Sequence, residues 1–291
     1  MPKYAVFGRS WRAAMLSPRL QGALPHLRLP LALSPRSSCR CAIAISSITP
    51  SPSHAPAPPS CPPQAQACGA EAQRLRAAGD FAAAAKQLMD AIGFGDSLSR
   101  AGLADMLIHG REGVAVDRKR AFELVEEGAR LGCHHCQGVM AECYWGGYGC
   151  QEVDEARSLE LARESSGKGS RYGQFTLGLL YQYGGGGVAQ DYTQAVALYR
   201  LAAAQNLDDA QHNLGFMYYL GEGVARDYAE ALRLYQLAAA QGHPDAMYWL
   251  AECHKEGQGV RKNMAEAIRW YRRAQAAGHP RAAVAVQRLG A

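Results

Sequence analysis

Three consecutive stretches of this chain superpose almost without gaps, and no other feature narrows its possible folds as much. They are residues 170–206, 207–242 and 243–278, with Val188, Val224 and Val260 spaced 36 apart. Weaker copies lie upstream at 98–132 and 133–169, and residues 70–97 add a looser, tetratricopeptide-like partial unit in which Asp80-Phe81 stands where Asp227-Tyr228 does. Residues 279–289 read as a closing helix. A period in this range marks a stack of supersecondary units, because one unit alone cannot cover its own apolar face.

Each unit reads as helix–loop–helix. In 207–242, helix A spaces Ala210, Leu214, Met217 and Tyr218 at helical intervals. Only Gly or Ala occupies the column of Gly215, Gly178, Ala251, Ala141 and Ala104, which predicts close approach of another helix backbone. Helix B starts after Asp227, matched by Asp191, Asn263 and Asp117. These are residue types whose side chains accept from the orphan N–H groups of a first turn. Gln194, Glu230 and Glu266 three residues on complete a capping-box pattern. Gly242, Gly278, Gly132 and Asn206 close the B helices with residues that tolerate a left-handed backbone. Pro244 and Pro280 then stand where the next helix A begins. The run Gly184–Gly187 is a poor phosphate cradle, since no strand precedes it and no Gly-Lys-Ser/Thr follows.

The pattern Ala-x₃-Leu-Gly-x₂-Tyr-x₂-Gly-x-Gly-Val-x₂-Asp-x₃-Ala-x₂-Leu-Tyr-x₂-Ala-Ala-x₂-Gly resembles the Sel1-like repeat, a relative of the tetratricopeptide repeat. The likeness covers 98–291 clearly and 70–97 loosely. It implies an all-α, right-handed superhelical solenoid over 70–291, whose concave face holds a protein segment. It implies a non-catalytic adaptor or scaffold rather than an enzyme. The unit at 133–169 departs most, because its second helix lacks the Tyr and the Ala-Ala pair.

Helix A lines the groove in this family, so positions that vary between units become candidate partner contacts. These are His212, Asn213, Phe216, Tyr219, Tyr183, Tyr248, Trp249 and Glu252. Aromatics give contact area at low entropy cost, and Asn can bond an extended backbone. The recurring Tyr181, Tyr218, Tyr199, Tyr235 and Tyr271 read instead as core.

Charge divides the chain. Residues 1–70 contain no Asp or Glu but seven Lys and Arg, leaving 24 basic residues against all 26 acidic ones in the repeats. No basic stripe remains there for nucleic acid. The first 68 residues, Arg- and Ser-rich and including the Pro-rich 49–63, read as a disordered organelle transit segment with its linker, for plastid or mitochondrion, with the cytosol as alternative. No run of 18 apolar residues suggests a membrane span.

Nine cysteines are present. Cys133, Cys136, Cys143 and Cys150, with His134 and His135, form a weak metal-ligand candidate, since the usual second Cys-x₂-Cys or His-x₃₋₅-His is missing. Register offers a blander reading: Cys136 aligns with Ala210 and Ala246, Cys143 with Cys253, and Cys150 with Val224. A Cys136–Cys143 disulfide is disfavoured, because seven helical residues rise about 10.5 Å. Cys143 with Cys150 stays open. Relatives from bacteria carry Cys pairs in successive repeats; here one unit has them, which by that resemblance favours a reducing compartment. No catalytic residue and no cofactor site is identified. The alternatives to a scaffold are a metal- or redox-responsive module at Cys133–Cys150 and an enzyme of unrecognised type.

Overall fold

The computed structural model describes residues 62–111, 113–150 and 152–289, so the transit-like segment lies almost entirely outside the described residues. Thirteen α-helices make up the described chain, without a strand among them. They are α1 (Pro63–Ala78), α2 (Phe81–Gly93), α3 (Ser97–His109), α4 (Arg118–Arg130), α5 (His134–Gly146), α6 (Glu155–Gly167), α7 (Arg171–Tyr183), α8 (Tyr192–Ala204), α9 (Asp208–Leu220), α10 (Tyr228–Ala240), α11 (Pro244–Glu256), α12 (Met264–Ala276) and α13 (Pro280–Arg288). Each helix packs on both of its sequence neighbours, as a solenoid requires. One boundary differs from expectation: α1 begins at Pro63, inside the segment read as disordered. Proline is tolerated there because a first-turn N–H has no helical partner to lose.

The caps form as the sequence requires. Asp117, Asp154, Asp191, Asp227 and Asn263 each accept a first-turn N–H of a B helix. Among the described residues, Asn206 alone of the non-glycines takes a positive φ, 60°, where its counterparts are glycines.

The small-residue column proves to serve a side chain rather than a helix backbone. A Cβ at Gly215 would stand 2.9 Å from a ring carbon of Tyr235, and one at Gly178 would stand 2.7 Å from Tyr199. Both rings are fully buried, as is Tyr271, which recurs at the same B-helix position opposite the Ala251 helix. The A and B helices of the third, fourth and fifth repeats are thus spaced by a tyrosine ring. Tyr181 and Tyr218, read as core from their register, are only partly buried. The hydroxyl of Tyr218 accepts from Arg200 at 2.9 Å. In the divergent unit Ala162 replaces the ring, and Ser158 Oγ donates to the Ala141 carbonyl at 2.8 Å; both residues are fully buried.

The second loop glycine has a different purpose. Gly149, Gly186, Gly223 and Gly259 hold φ between 66° and 72°. A Cβ on them would stand 2.1–2.6 Å from the carbonyl oxygens of Arg118, Glu155, Tyr192 and Tyr228. Each loop therefore rests on the first turn of the preceding unit's B helix. Gly186 N–H also donates to the Glu155 carboxylate at 3.2 Å, so an acidic side chain occupies the loop that resembles a phosphate cradle.

Joints between hairpins pair a late B-helix residue with an early A-helix residue, and the pairs conserve volume. Three of the joints pair Ala202 with Ala210, Ala238 with Ala246 and Ala274 with Ala282, all fully buried. At the 128/136 joint a Cβ on Gly128 would lie 2.3 Å from Cys136 Sγ, and at 165/173 one on Gly173 would lie 2.0 Å from Ser165 Oγ. A larger residue on one helix is met by glycine on the other, as close-packed interiors demand.

Replacing Gly215 by Leu should cost about 1–3 kcal/mol by overpacking against Tyr235. Gly215→Ala should cost less, since Ala251 is accommodated at the same position of the next repeat. Tyr235→Ala should cost about 3–5 kcal/mol by cavity formation. Urea unfolding of the three variants checks this order.

Candidate functional site

The eight predicted contact residues divide by burial. His212, Tyr248 and Trp249 are buried at 9, 5 and 9% exposure, so these three are corrected from partner contacts to packing residues. The His212 ring stacks on His243 with centroids 4.7 Å apart, and Tyr248 stacks on His279 at 4.4 Å. Trp249 lies over Tyr235, 6.3 Å away. Asn213, Phe216, Tyr219, Tyr183 and Glu252 are partly exposed. Phe216 and Tyr219, one turn apart on α9, both pack on Trp249 at 5.2 Å, and Tyr219 also meets Tyr228 at 5.3 Å. Tyr183 stacks on Trp145 at 6.2 Å. Asn213 Nδ2 donates to Tyr199 Oη at 3.4 Å, and Glu252 accepts from Lys255 at 2.7 Å and from the Tyr271 hydroxyl. Phe216, Tyr219 and Glu252 thus present one partly exposed aromatic and acidic surface, braced from below by Trp249.

The same A-helix column shows where that surface ends. Its members are Asp105, Glu142, Leu179, Phe216 and Glu252. The first three are buried and the last two are not. Asp105 and Glu142 belong to a buried ion cluster that sequence reading did not anticipate. Arg111, just after α3, donates to Asp208 of α9 at 2.6 Å although the two are 97 residues apart. Arg76 of α1 lies 3.5 Å from Asp105 and 3.9 Å from Asp208. His109 bonds Glu142 at 3.0 Å. The ring of Phe81, on α2, occupies the space where a Cβ on Gly242 would stand, 2.5 Å from its tip. The superhelix curves far enough for its first and fourth repeats to meet.

Charges in the cluster shape one another. Burial raises the Asp105 carboxyl to about 6, reinforced by the neighbouring Asp209 charge. Burial opposes a charged His109, but Asp209 and Glu142 outweigh it and hold the ring up to about 10. Burial likewise opposes a charged Asp209, yet His109, His243 and Arg111 hold it well below the usual carboxylate range. Oxygen and nitrogen atoms of Asp105, His109 and Asp209 come within 4.8 Å of one another. Arg76 and Arg111 already approach these carboxylates, so the group is organised as an ion-paired strut.

A second device lies between repeats, where His243 and His279 stand at the helix starts that their sequence position suggests. His243 and His279 cap α11 and α13, each Nδ1 accepting a backbone N–H at 3.2 Å. That fixes the proton on Nε2, which faces Asp209 at 3.1 Å and Asp245 at 3.2 Å respectively. The pairs repeat every 36 residues, and each fastens the start of one A helix to the start of the next. The signal was the joint recurrence of Asp209 with Asp245 and of His243 with His279.

The four candidate metal cysteines separate into two pairs. Cys133 is the N-cap of α5 and Cys136 lies one turn in. Cys143 is two turns further on and fully buried, as is Cys253, its counterpart in the fifth repeat. Cys150, in the following loop, contacts the Cys143 carbonyl at 3.3 Å. All four are free thiols. Ser165 and Lys168 have the Ser-x-x-Lys spacing of an acyl-transfer pair. However, Ser165 Oγ is buried against the Ala162 carbonyl and Lys168 Nζ pairs with Glu164 at 2.7 Å.

Asp208→Asn should destabilise the protein by about 3–5 kcal/mol, because Arg111 would keep a buried charge without its partner. Urea unfolding measures this. Acid should also weaken the fold. Burial lowers His135 and His212 from 6.5 to about 4, so the folded chain holds neutral rings that the unfolded chain protonates more readily. Their contribution is full above pH 6.5 and is lost as pH falls towards 4. His212 faces His243, Asp209 and Asp245, and the two carboxylates stay ionised across this window. His212→Phe should therefore reduce the drop in melting temperature between pH 7 and pH 5, read by circular dichroism.

The Sel1 repeat sequence model matches residues 97–133, 135–170, 171–207, 208–243 and 244–279. A Sel1 repeat protein from Oxalobacter formigenes is 26% identical, with a TM-score of 0.50 over 73% of this chain and 86% of that one. The protective antigen c5321 of uropathogenic Escherichia coli, which displays an SLR fold, is 24% identical with a TM-score of 0.48. That match covers 77% of this chain but 48% of the antigen, so the chain spans about half the length of that relative. The immunity protein Pa5087 of Pseudomonas aeruginosa is 21% identical, with a TM-score of 0.48 over 76% and 85% of the two chains. No match was found among curated proteins. Five contiguous repeat matches, on hairpins that stack as the repeat requires, place this chain in the Sel1 repeat family.

Proposed function

We propose that this protein is a non-catalytic scaffold that holds a segment of a partner protein against the A helices of its fourth and fifth repeats. The observation that carries the reading is the change along one A-helix column. Asp105, Glu142 and Leu179 are buried, whereas Phe216 and Glu252 are partly exposed. Family membership supports the general role, since Sel1 repeats commonly serve as protein-interaction scaffolds. The aromatic pair Phe216 and Tyr219 supplies contact area over a rigid Trp249 base, the usual composition of an interface anchor. No described helix is long and apolar enough to cross a membrane. The organelle-targeting proposal rests on residues 1–68 alone, acid-free and rich in Arg, Ser and Pro.

Affinity capture with the full chain tests the surface. Phe216→Ala with Tyr219→Ala should lose the partners that the unaltered chain recovers, with helicity unchanged. A variant at exposed Leu201 and Leu237, on B helices away from this column, should retain them. Full partner recovery by the Phe216/Tyr219 variant would remove the proposed site.

A further inference from the structure

We propose that Cys133 and Cys136 form a redox-active dithiol, which exchanges with small disulfides and closes as an intrachain disulfide at the joint between the first and second repeats. The inference is independent of the scaffold reading. Three geometric observations carry it. First, both sulfurs converge on one acceptor: Cys133 Sγ and Cys136 Sγ lie 3.5 and 3.2 Å from the Ser97 carbonyl oxygen. Second, the pair is asymmetric in access. Cys133, at the N-cap of α5, is partly exposed, and Cys136 is buried. That is the division between an attacking and a resolving sulfur. Third, the site is built for sulfur. The other joints present Ala202, Ala238, Ala274 or Ser165 at the position of Gly128. Here the missing Cβ vacates the space that Cys136 Sγ fills.

Electrostatics support the same assignment. The hydrogen bond from Cys136 outweighs burial and lowers the Cys133 thiol to about 7. The helix N-terminus favours the thiolate further. Cys136 moves in the opposite direction, raised first by its hydrogen bond to Cys133 and then by burial. Cys253, buried without such a partner, is pushed up to about 12.

The chemistry is thiol–disulfide exchange with a low-molecular-weight disulfide as oxidant. Cys133 thiolate attacks one sulfur of the disulfide, forming a mixed disulfide and releasing one small thiolate. Cys136 then attacks Cys133 Sγ, breaking the mixed disulfide and releasing the second small thiolate. The protons of the two cysteines pass to those two leaving groups. One protein dithiol is oxidised and one disulfide is reduced to two thiols. Closure draws Cys136 Sγ towards Cys133 and away from its seat over Gly128, so the two redox states differ at the joint of α3, α4 and α5.

The test is a redox titration of the full chain in mixtures of reduced and oxidised glutathione at pH 7. It is followed by acid quenching, alkylation and mass mapping of the cysteines. The expected result is loss of two hydrogens confined to Cys133 and Cys136, reversed by dithiothreitol. In Cys136→Ala the resolving sulfur is gone, and Cys133 should accumulate one bound glutathione. In the unaltered reduced chain, Cys133 should be alkylated at least roughly tenfold faster than Cys253 at pH 7. Its pH–rate midpoint should lie near 7 and rise in the Cys136→Ala variant. Absence of the intrachain disulfide at full oxidation in the unaltered chain would overturn the proposal, and that measurement needs no variant to fold. So would alkylation of Cys133 no faster than that of Cys253.

Discussion

A tyrosine ring wedged between two helices is the contact on which the architecture rests. Tyr199 and Tyr235 lie against Gly178 and Gly215, where a Cβ would stand within 3 Å of the ring. The ring fixes the separation of A and B helices, and that separation sets where the connecting loop emerges. The loop glycine then reaches the first-turn carbonyl of the preceding B helix, as with Gly223 on Tyr192. One hairpin's internal spacing thereby positions it on its neighbour. Burial of fully enclosed aromatic surface drives the arrangement, and the glycines permit it without strain.

Solenoids are usually quasi-one-dimensional, with each repeat touching only its neighbours. This one is not. Arg111 with Asp208, and Phe81 over Gly242, join parts of the chain separated by more than two repeats. The ion cluster bridges the first and fourth repeats, where buried charges of opposite sign tolerate little separation in a low-dielectric interior. It also couples distant repeats, so the fold does not reduce to a sum of nearest-neighbour terms. The proposed site follows from the same closure: the inner column is buried through the third repeat, and Phe216 and Glu252 are left partly exposed.

The candidate surface was partly legible in the sequence. Variability between repeats pointed to Phe216, Tyr219 and Glu252, which are partly exposed. It failed for His212, Tyr248 and Trp249, which also vary yet are buried. Variation there reflects alternative ways of filling one inter-repeat gap: a histidine stack at His212–His243, and a tyrosine–histidine stack at Tyr248–His279. A side chain that differs from its counterparts need not face solvent, because neighbouring positions compensate. The glycine opposite Cys136 and the serine opposite Gly173 show the same compensation.

The amino-acid sequence by itself determined the repeat length, the hairpin unit, the capping residues and the family, because these depend on local periodicity and on contacts within one repeat. Tertiary structure alone decided which repeats meet across the superhelix, that Asp105 and Asp208 lie together, and that the Cys133 and Cys136 sulfurs converge on the Ser97 carbonyl. Small rotations per repeat accumulate along the stack, and no local pattern encodes their sum. Long-range neighbours are therefore settled only when the whole chain has packed.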